Sequence, residues 1–218
     1  MSTNLKLRGL YVILDPEVLP LGRDLTETAR EALAGGATML QLRDKTREKS
    51  LQLPLARALR DLCEEHGALF IVNDYADLAL TCGAHGVHVG QKDQPVSVVR
   101  KLVPPEMIVG CSTNNPEEAR AAEAAGADYV SVGRLFPTGS KADTRPATLE
   151  TLRAVKAAVG LPVCAIGGIN EANIEDVLAA GADIVAVIAA VIAADDVQGA
   201  ARRLVARCEA GGGSNRSP

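Results

Sequence analysis

The sequence alternates between short β-branched runs and longer amphipathic runs, and this alternation restricts the fold more than any other feature. The apolar runs predict eight strands: Leu10–Leu14, Thr38–Leu42, Leu69–Val72, Gly86–Val89, Met107–Gly110, Asp128–Val132, Val163–Ile166 and Asp183–Val187. The amphipathic runs predict eight helices: Leu25–Ala34, Glu48–His66, Tyr75–Cys82, Val96–Leu102, Pro116–Ala125, Thr148–Val159, Glu171–Ala180 and Val197–Cys208. Most of the strands are continuously apolar, which indicates burial on both faces, as in parallel sheets.

Chain length restricts how these units can be arranged. Eight strand–helix units in 218 residues fit a single α/β domain, a (β/α)8 TIM barrel of parallel strands, with an open doubly wound sheet as the alternative. We predict that the barrel covers residues 1–209 and that residues 210–218 form a disordered tail. The repeated Ala-Gly-Ala-Asp at 125–128 and 180–183 predicts a helix end with a left-handed glycine. The apolar run 184–194 is interpreted as a buried strand that enters a turn.

Composition argues against several classes of protein. The formal net charge is -4 and aromatic content is 2%, so neither the basic surface nor the stacking residues of a nucleic-acid binder are present. No uncharged run approaches the roughly 20 residues that span a bilayer. The five cysteines are odd in number and form no CxxC pair, which favours reduced thiols in a cytoplasmic protein over disulfides or zinc. A homo-oligomer remains open.

Polar residues follow the predicted strands, where a barrel gathers its chemistry. Gln41, Arg43 and Lys45 end the second strand, and strand alternation places them on one side with Leu42 on the other. Cations that converge on a barrel mouth need an anion, unless neighbouring acids such as Asp44 neutralise them.

Two acids follow adjacent strands. Asn73 and Asp74 end the third strand, and Asp93 follows the fourth. Two carboxylates close to cationic groups fit a magnesium ion, which typically takes one or two carboxylates together with substrate phosphate oxygens. The structural alternative for Asp74 is the cap of the next helix.

The remaining strand ends are rich in groups that can hold phosphate. The segment Phe136–Lys141 has two hydroxyls, a glycine and a lysine, and Ser112, Gly167-Gly168 and Ile188-Ala189 follow other strands. Hydroxyls, bare backbone N–H groups and an ammonium all bind phosphate, although each stretch is also an ordinary turn sequence and Ser112 could cap the helix near Pro116.

The three histidines, His66, His85 and His88, do not suggest nucleophilic catalysis. None is paired with a plausible nucleophile, and His88 is interpreted as a satisfied residue inside the barrel. Two phosphate subsites and a metal position, with little acid–base machinery, suit a reaction in which pyrophosphate leaves and a second phosphorylated substrate attacks.

Six motifs, in this order, resemble the thiamine phosphate synthase family: QLRDK, VNDYADLAL, GVHVGQKD, GCST, GADYVSVGRLFPTGSK and AIGGI. The resemblance covers residues 9–205. It implies a barrel enzyme that joins 4-amino-2-methyl-5-(diphosphooxymethyl)pyrimidine to thiazole phosphate and releases pyrophosphate. It also implies Mg²⁺ as cofactor and a dissociative path, in which a pyrimidine cation forms and the thiazole nitrogen captures it.

The resemblance further implies a role for each matching residue. The pyrimidine diphosphate would contact Gln41, Leu42, Arg43, Asp44, Lys45, Asn73, Ser112 and Lys141. The thiazole phosphate would contact Thr138, Gly139, Ser140, Gly168, Ile188 and Ala189. Asp74 and Asp93 would bind Mg²⁺, and the catalytic groups would be Lys141, Ser112 and Arg43.

This chain departs from the family pattern at three positions. Ala189 stands where serine is common, Ser140 where threonine is common and Arg134 where proline is frequent. Two other functions remain open. A thiazole tautomerase-like isomerase would have a histidine at the position of Asn114, and a non-catalytic phosphate-binding barrel would have no use for the two acids.

Overall fold

Eight parallel strands close into one barrel, and their order around the barrel is their order along the chain. The computed structural model describes residues 7–138 and 145–212. The strands are β1 (Gly9–Leu14), β2 (Met39–Leu42), β3 (Leu69–Asn73), β4 (Gly86–Val89), β5 (Ile108–Thr113), β6 (Tyr129–Val132), β7 (Val163–Ile166) and β8 (Ile184–Val187). The barrel closes where β1 pairs with β8, with Gly9 opposite Ile184. The predicted (β/α)8 barrel is confirmed and the open sheet is excluded.

Helices follow the strands and cover the outside of the barrel. They are α1 (Leu25–Ala34), α2 (Lys49–Glu65), α3 (Ala76–Cys82), α4 (Val96–Leu102), α5 (Pro116–Ala124), α6 (Leu149–Ala158), α7 (Ile174–Ala179), α8 (Ala189–Ile192) and α9 (Val197–Gly212). Their inner faces are apolar; Leu59 of α2 and Leu152 of α6, for example, are fully buried. Within residues 7–138 and 145–212, none of the helices has the length and apolar character needed to cross a membrane.

The structure corrects three sequence-based boundaries. Strand β5 continues to Thr113 because its polar residues pair with β6, where Ser112 lies opposite Ser131. The run 184–194 divides into β8 and the one-turn helix α8, a division that a continuously apolar run does not reveal. Helix α9 extends through residues 210–212, which were predicted to belong to a disordered tail, and the rest of that tail lies outside the described residues.

Strand alternation separates the barrel interior from the layer beneath the helices. Tyr11 and Ile13 of β1 and Gln41 of β2 line the interior cavity, whereas Leu42 is buried on the outer side. The carboxyl ends of the strands therefore present alternate side chains to one shared space.

Candidate active site

A cavity of about 430 Å³ opens at the carboxyl ends of the strands. It brings together eleven of the predicted site residues: Gln41, Arg43, Lys45, Asn73, Asp74, Asp93, Ser112, Thr138, Gly168, Ile188 and Ala189. Gly139, Ser140 and Lys141 lie outside the described residues. The structure does not bring Leu42 and Asp44 to the cavity.

Leu42 and Asp44 are placed elsewhere because neighbouring residues of an extended chain point in opposite directions. Leu42 is buried on the outer side of the barrel. The Asp44 carboxylate accepts hydrogen bonds from the backbone N–H groups of Thr46 and Arg47, both at 3.0 Å. Burial alone would raise the pKa of Asp44, but these hydrogen bonds, the Thr46 hydroxyl and the Arg47 charge together outweigh it and lower that pKa. Asp44 therefore shapes the loop after β2.

Asp74 and Asp93 form a pair of carboxyl groups on one side of the cavity. Asp74 has a left-handed backbone with φ of 64°, and helix α3 has Tyr75 as its N-cap, so Asp74 is not the cap of that helix. Its carboxylate forms an ion pair with Lys45 and lies within hydrogen-bonding reach of Asp93. Asp93 also accepts the Gly90 N–H at 2.8 Å.

The surroundings of Asp74 favour an added positive charge. Burial raises the pKa of Asp74, the Lys45 ammonium opposes that rise, and the Asp93 carboxyl adds to it. Two crowded acids that are part-buried gain stability from a cation. In the described part of the chain, however, no cluster of three or more His, Cys, Asp or Glu side chains could hold a metal. A metal here would depend on these two carboxylates and on ligands from a substrate.

Several arginines line the cavity, and their partners differ. Arg43 forms an ion pair with Asp15, which is 1% exposed and directly follows β1. Sequence reasoning missed Asp15, although the rule that found Asp74 applies to it equally. Arg134 follows β6, and its Nε is buried with no hydrogen-bond partner among the residues the structure describes.

A hydrogen-bonded row of buried side chains crosses the interior of the barrel mouth. Gln41 Nε2 donates to Tyr11 Oη at 2.6 Å, and Tyr11 Oη lies 3.2 Å from Tyr129 Oη. His88 Nδ1 lies 2.9 Å from Tyr129 Oη, and His88 Nε2 lies 2.9 Å from Ser112 Oγ. The interpretation of His88 as a satisfied barrel residue is confirmed. The prediction that no histidine is paired with a plausible nucleophile is wrong, because the neighbouring strands β4 and β5 bring His88 against the Ser112 hydroxyl. The two tyrosines were missed, although inward-facing strand positions could have indicated them.

The opposite side of the cavity is formed largely by backbone. Gly167 and Gly168 have φ of 104° and 65°, and a Cβ on Gly168 would lie 2.6 Å from the Pro137 oxygen. The Phe136 N–H donates to the Gly167 oxygen at 3.0 Å, so the loop after β6 packs directly on the end of β7. This contact brings Thr138 close to Gly168, and both residues line the cavity, as does Ala189.

The fold and this cavity agree with comparisons to known proteins. A family model described as thiamine monophosphate synthase matches residues 10–191. The chain belongs to the thiamine monophosphate synthase family. The resemblance seen in the motifs is therefore confirmed.

Individual members of the thiamine monophosphate synthase family match nearly the whole chain. The thiamine-phosphate synthase of Moorella thermoacetica is 53% identical over 196 residues, covering 89% of this chain and 93% of the relative. The thiamine-phosphate synthase of Methanospirillum hungatei is 49% identical over 196 residues, covering 89% of this chain and 95% of the relative. The solved thiamine phosphate pyrophosphorylase from Pyrococcus furiosus has a TM-score of 0.86 at 40% identity, covering 96% of this chain and 98% of that one.

In this member of the thiamine monophosphate synthase family, an ion pair anchors the chain immediately after residues 139–144. Both terminal nitrogens of Arg145 donate to the Glu118 carboxylate at 2.8 Å. Glu118 also accepts the Asn114 N–H at 2.8 Å, and Asn114 Nδ2 donates to the Pro146 oxygen at 3.0 Å. The Arg145 hydrogen bonds are the main cause of the lowered pKa of Glu118. The start of the segment that leads to α6 is thus tied to β5 and α5.

We expect Glu118→Gln to destabilise the protein at neutral pH by on the order of 1 kcal/mol, because one partner of a largely exposed pair loses its charge. Folding lowers the pKa of Glu118, so the ionised side chain stabilises the folded protein. This stabilisation is fully present above the pKa of the unfolded protein, about 4.3, and is lost as pH falls through the lower pKa of the folded protein. Urea unfolding at pH 7 and at pH 3 measures this difference. The exposed Glu106, changed to Gln, is the control. An equal loss of stability at both pH values would contradict the assignment.

Proposed function

We propose that this chain is a thiamine-phosphate synthase. It condenses 4-amino-2-methyl-5-(diphosphooxymethyl)pyrimidine with thiazole phosphate and releases pyrophosphate. The observation that carries the proposal is the family membership of a chain whose cavity has two dissimilar sides. The side formed by β2 to β5 has Arg43, Lys45 and the paired acids. The side formed by β6 to β8 has Arg134, exposed backbone and small residues. This arrangement suits two phosphorylated substrates held face to face.

The pyrimidine diphosphate is assigned to the side formed by β2 to β5. Gln41, Asn73 and Ser112 supply neutral hydrogen-bonding groups there, and Arg43 and Lys45 supply positive charge. Charge-assisted hydrogen bonds to phosphate are about twice as strong as neutral ones, which favours this side for the more highly charged group. Lys141 completes the assignment by resemblance to the family. Leu42 and Asp44 are left out of it because neither lines the cavity.

The thiazole phosphate is assigned to the side formed by β6 to β8. The left-handed Gly168 brings bare backbone to the cavity, and the Ile188-Ala189 backbone begins α8 beside it. Thr138 lies at the same side, and Gly139 and Ser140 are assigned by resemblance. Backbone donors after the seventh and eighth strands are the usual phosphate cradle of this fold.

The crowded pair Asp74 and Asp93 fits a magnesium ion that the diphosphate shares. The Asp93 carboxyl is close enough to raise the pKa of Asp74, and two adjacent carboxylates are the donor set that a hard divalent cation prefers. When bound, Mg²⁺ would neutralise charge on the departing pyrophosphate. The Lys45 ammonium, now paired with Asp74, would then be available to a phosphate oxygen.

The proposed reaction follows a dissociative path. The C–O bond to the diphosphate breaks first, and pyrophosphate leaves with both bonding electrons. Arg43 and Ser112 stabilise the negative charge that develops on it. The thiazole nitrogen then donates its lone pair to the pyrimidine cation. An aromatic nitrogen lone pair carries no proton, so the reaction needs no general base. Holding the nitrogen close to the reacting carbon supplies much of the rate enhancement.

The direct test is mass-spectrometric detection of thiamine phosphate from the two substrates with Mg²⁺. Product should appear only when both substrates are present, with equimolar pyrophosphate. Binding of the diphosphate substrate without turnover would instead favour the non-catalytic barrel. Conversion of the thiazole phosphate alone would favour the isomerase. No contact in the described residues favours either alternative.

The proposal also includes a cytoplasmic location. All five cysteines lie within the described residues and none forms a disulfide, and burial raises the pKa of Cys63 to about 12 and that of Cys111 to about 11. Cysteines that stay reduced are typical of a reducing compartment. The partners of the enzyme are its small substrates. The absence of a nucleic-acid partner and the formation of a homo-oligomer stay predictions.

We expect Ala189→Ser to lower the Michaelis constant for thiazole phosphate a few-fold. The added hydroxyl would face a phosphate, and a hydrogen bond to a charged acceptor contributes roughly 1.5–3 kcal/mol at best, before competition from existing donors. Ala193→Ser, at the exposed end of the same helix and outside the cavity, is the matched control. Steady-state kinetics with each substrate varied measure both constants. A change in the pyrimidine constant alone would place the thiazole phosphate elsewhere.

A further inference from the structure

The hydrogen-bonded row from Gln41 to Ser112 has a direction, and that direction decides what Ser112 can do. We infer that Tyr11, Tyr129 and His88 are positioning residues that fix Ser112 as a hydrogen-bond donor to an anion in the cavity. The inference deepens the proposed function, since the anion would be the diphosphate of the pyrimidine substrate. It concerns Tyr11, Tyr129 and His88, which lie between Gln41 and Ser112 in the hydrogen-bonded row.

The direction starts at Gln41. Its Nε2 donates to Tyr11 Oη at 2.6 Å, and a phenol that accepts there still has one proton to place. Tyr129 Oη, 3.2 Å away, is the acceptor within reach. Burial raises the pKa of both tyrosines, so each hydroxyl keeps its proton. Tyr11 therefore donates a hydrogen bond to Tyr129, and the Tyr129 hydroxyl must donate its own hydrogen bond to a different acceptor.

The next acceptor is the imidazole of His88. Tyr129 Oη lies 2.9 Å from His88 Nδ1, and the two rings are stacked with centroids 5.4 Å apart. A neutral imidazole that accepts at Nδ1 carries its proton on Nε2. His88 Nε2 lies 2.9 Å from Ser112 Oγ, so it donates to that oxygen.

Ser112 is then the last member of the row. Its oxygen accepts from His88, and Ser131 Oγ lies 3.5 Å away as a second, longer donor. Its own proton consequently has to point away from both, and the cavity is the space that Ser112 lines. A hydroxyl held in this orientation donates to a phosphate oxygen without reorganising, which is the arrangement that stabilises developing negative charge.

The opposite direction is the competing arrangement. If the Gln41 amide were turned round, its oxygen would accept a hydrogen bond from Tyr11. Tyr11 would then accept from Tyr129, and Tyr129 would accept from the Nδ1–H of His88. Ser112 would then donate to His88 Nε2 and keep no proton for a ligand. The two directions differ in one measurable property, the nitrogen of His88 that carries the proton.

Nitrogen-15 NMR of the full-length protein labelled at histidine distinguishes the two at a pH of about 8, above the usual histidine pKa of about 6.5. The other two histidines are internal references. His66 Nδ1 lies 2.9 Å from the Leu62 carbonyl oxygen, so it must carry a proton. His85 Nδ1 accepts the Phe70 N–H at 3.0 Å, so its proton is on Nε2. His88 should give the His85 pattern, and the His66 pattern would overturn the inference.

Variants then test whether the row acts through Ser112. Tyr129→Phe removes one hydroxyl and keeps the ring, so His88 should lose its fixed tautomer and turnover should fall on the order of tenfold. Tyr75→Phe, which removes the hydroxyl of the one tyrosine that is not part of the hydrogen-bonded row, is the matched control and should leave both unchanged.

The double variant Tyr129→Phe with Ser112→Ala completes the cycle. If Tyr129 acts through Ser112, the double variant should be no slower than Ser112→Ala alone. Losses that multiply would show an independent role for Tyr129 and overturn the inference. The NMR measurement needs no substrate, so the two proposals can fail separately. If the protein makes no thiamine phosphate but His88 is protonated on Nε2, the proposed reaction is refuted and the direction of the hydrogen bonds still holds.

Discussion

Replacing Asp93 by asparagine is expected to lower turnover by on the order of 10²- to 10³-fold while the protein stays folded. The change removes one of the two carboxylates assigned to Mg²⁺ and so weakens stabilisation of the departing pyrophosphate. An asparagine oxygen can still accept the Gly90 N–H, which Asp93 accepts at 2.8 Å, so the turn after β4 should survive. The Mg²⁺ concentration that gives half-maximal activity should rise in parallel.

The matched control is Asp77→Asn, since Asp77 is an exposed acid on α3 that pairs with Lys49 outside the cavity. Initial rates across a Mg²⁺ titration, with circular dichroism to confirm folding, measure the effect. Activity close to that of the parent at low micromolar Mg²⁺ would show that Asp93 is not a metal ligand. A similar loss in the control would point to net charge as the cause.

Gly110→Ala is expected to have the largest effect on stability, at about 3 kcal/mol or a fall in Tm of roughly 6–12 °C. A Cβ at Gly110 would lie 2.1 Å from Cζ and 2.4 Å from Cε1 of the Tyr129 ring. Tyr129 has no exposed surface and packs edge-on against Tyr11, so the ring has no space into which it can move. Any shift of Tyr129 would also disturb His88, so activity should fall as well.

The control is Gly160→Ala, on an exposed turn where the added Cβ would lie 3.4 Å from a Glu123 oxygen. That change should alter the free energy of unfolding by less than about 0.5 kcal/mol. Urea unfolding of both variants measures the difference. If Gly110→Ala were as stable as the control variant, the Tyr129 ring could not occupy the position that the structure gives it.

Local signals in the sequence were sufficient for the barrel. The alternation of apolar and amphipathic runs predicted all eight strands and the eight longer helices, because burial on both faces and the helical period are properties of short segments. The repeated Ala-Gly-Ala-Asp predicted left-handed glycines, and Gly126 and Gly181 have φ of 94° and 97°. The exception is α8, where a strand and a helix share one apolar run.

The strand-end rule found much of the candidate site for a similar reason. Parallel strands in a barrel all end at the same face, so a polar residue just after a strand lies at the cavity whatever the rest of the chain does. Arg43, Asp74 and Asp93 were found in this way. Strand alternation also placed Leu42 away from the cavity, as observed, whereas the family resemblance had included Leu42 and Asp44, neither of which lines the cavity.

By itself, the sequence determined the barrel, the face that bears the site and most of the residues around it, since these follow from periodicity and from the residue types at strand ends. Only the tertiary structure decided the partners: Asp15 for Arg43, Lys45 for Asp74 and Tyr129 for His88. Each of these pairs joins residues from different strand–helix units. Their contact depends on strand register and barrel closure, which place side chains within about 3 Å although nothing in the local sequence of either residue specifies the other.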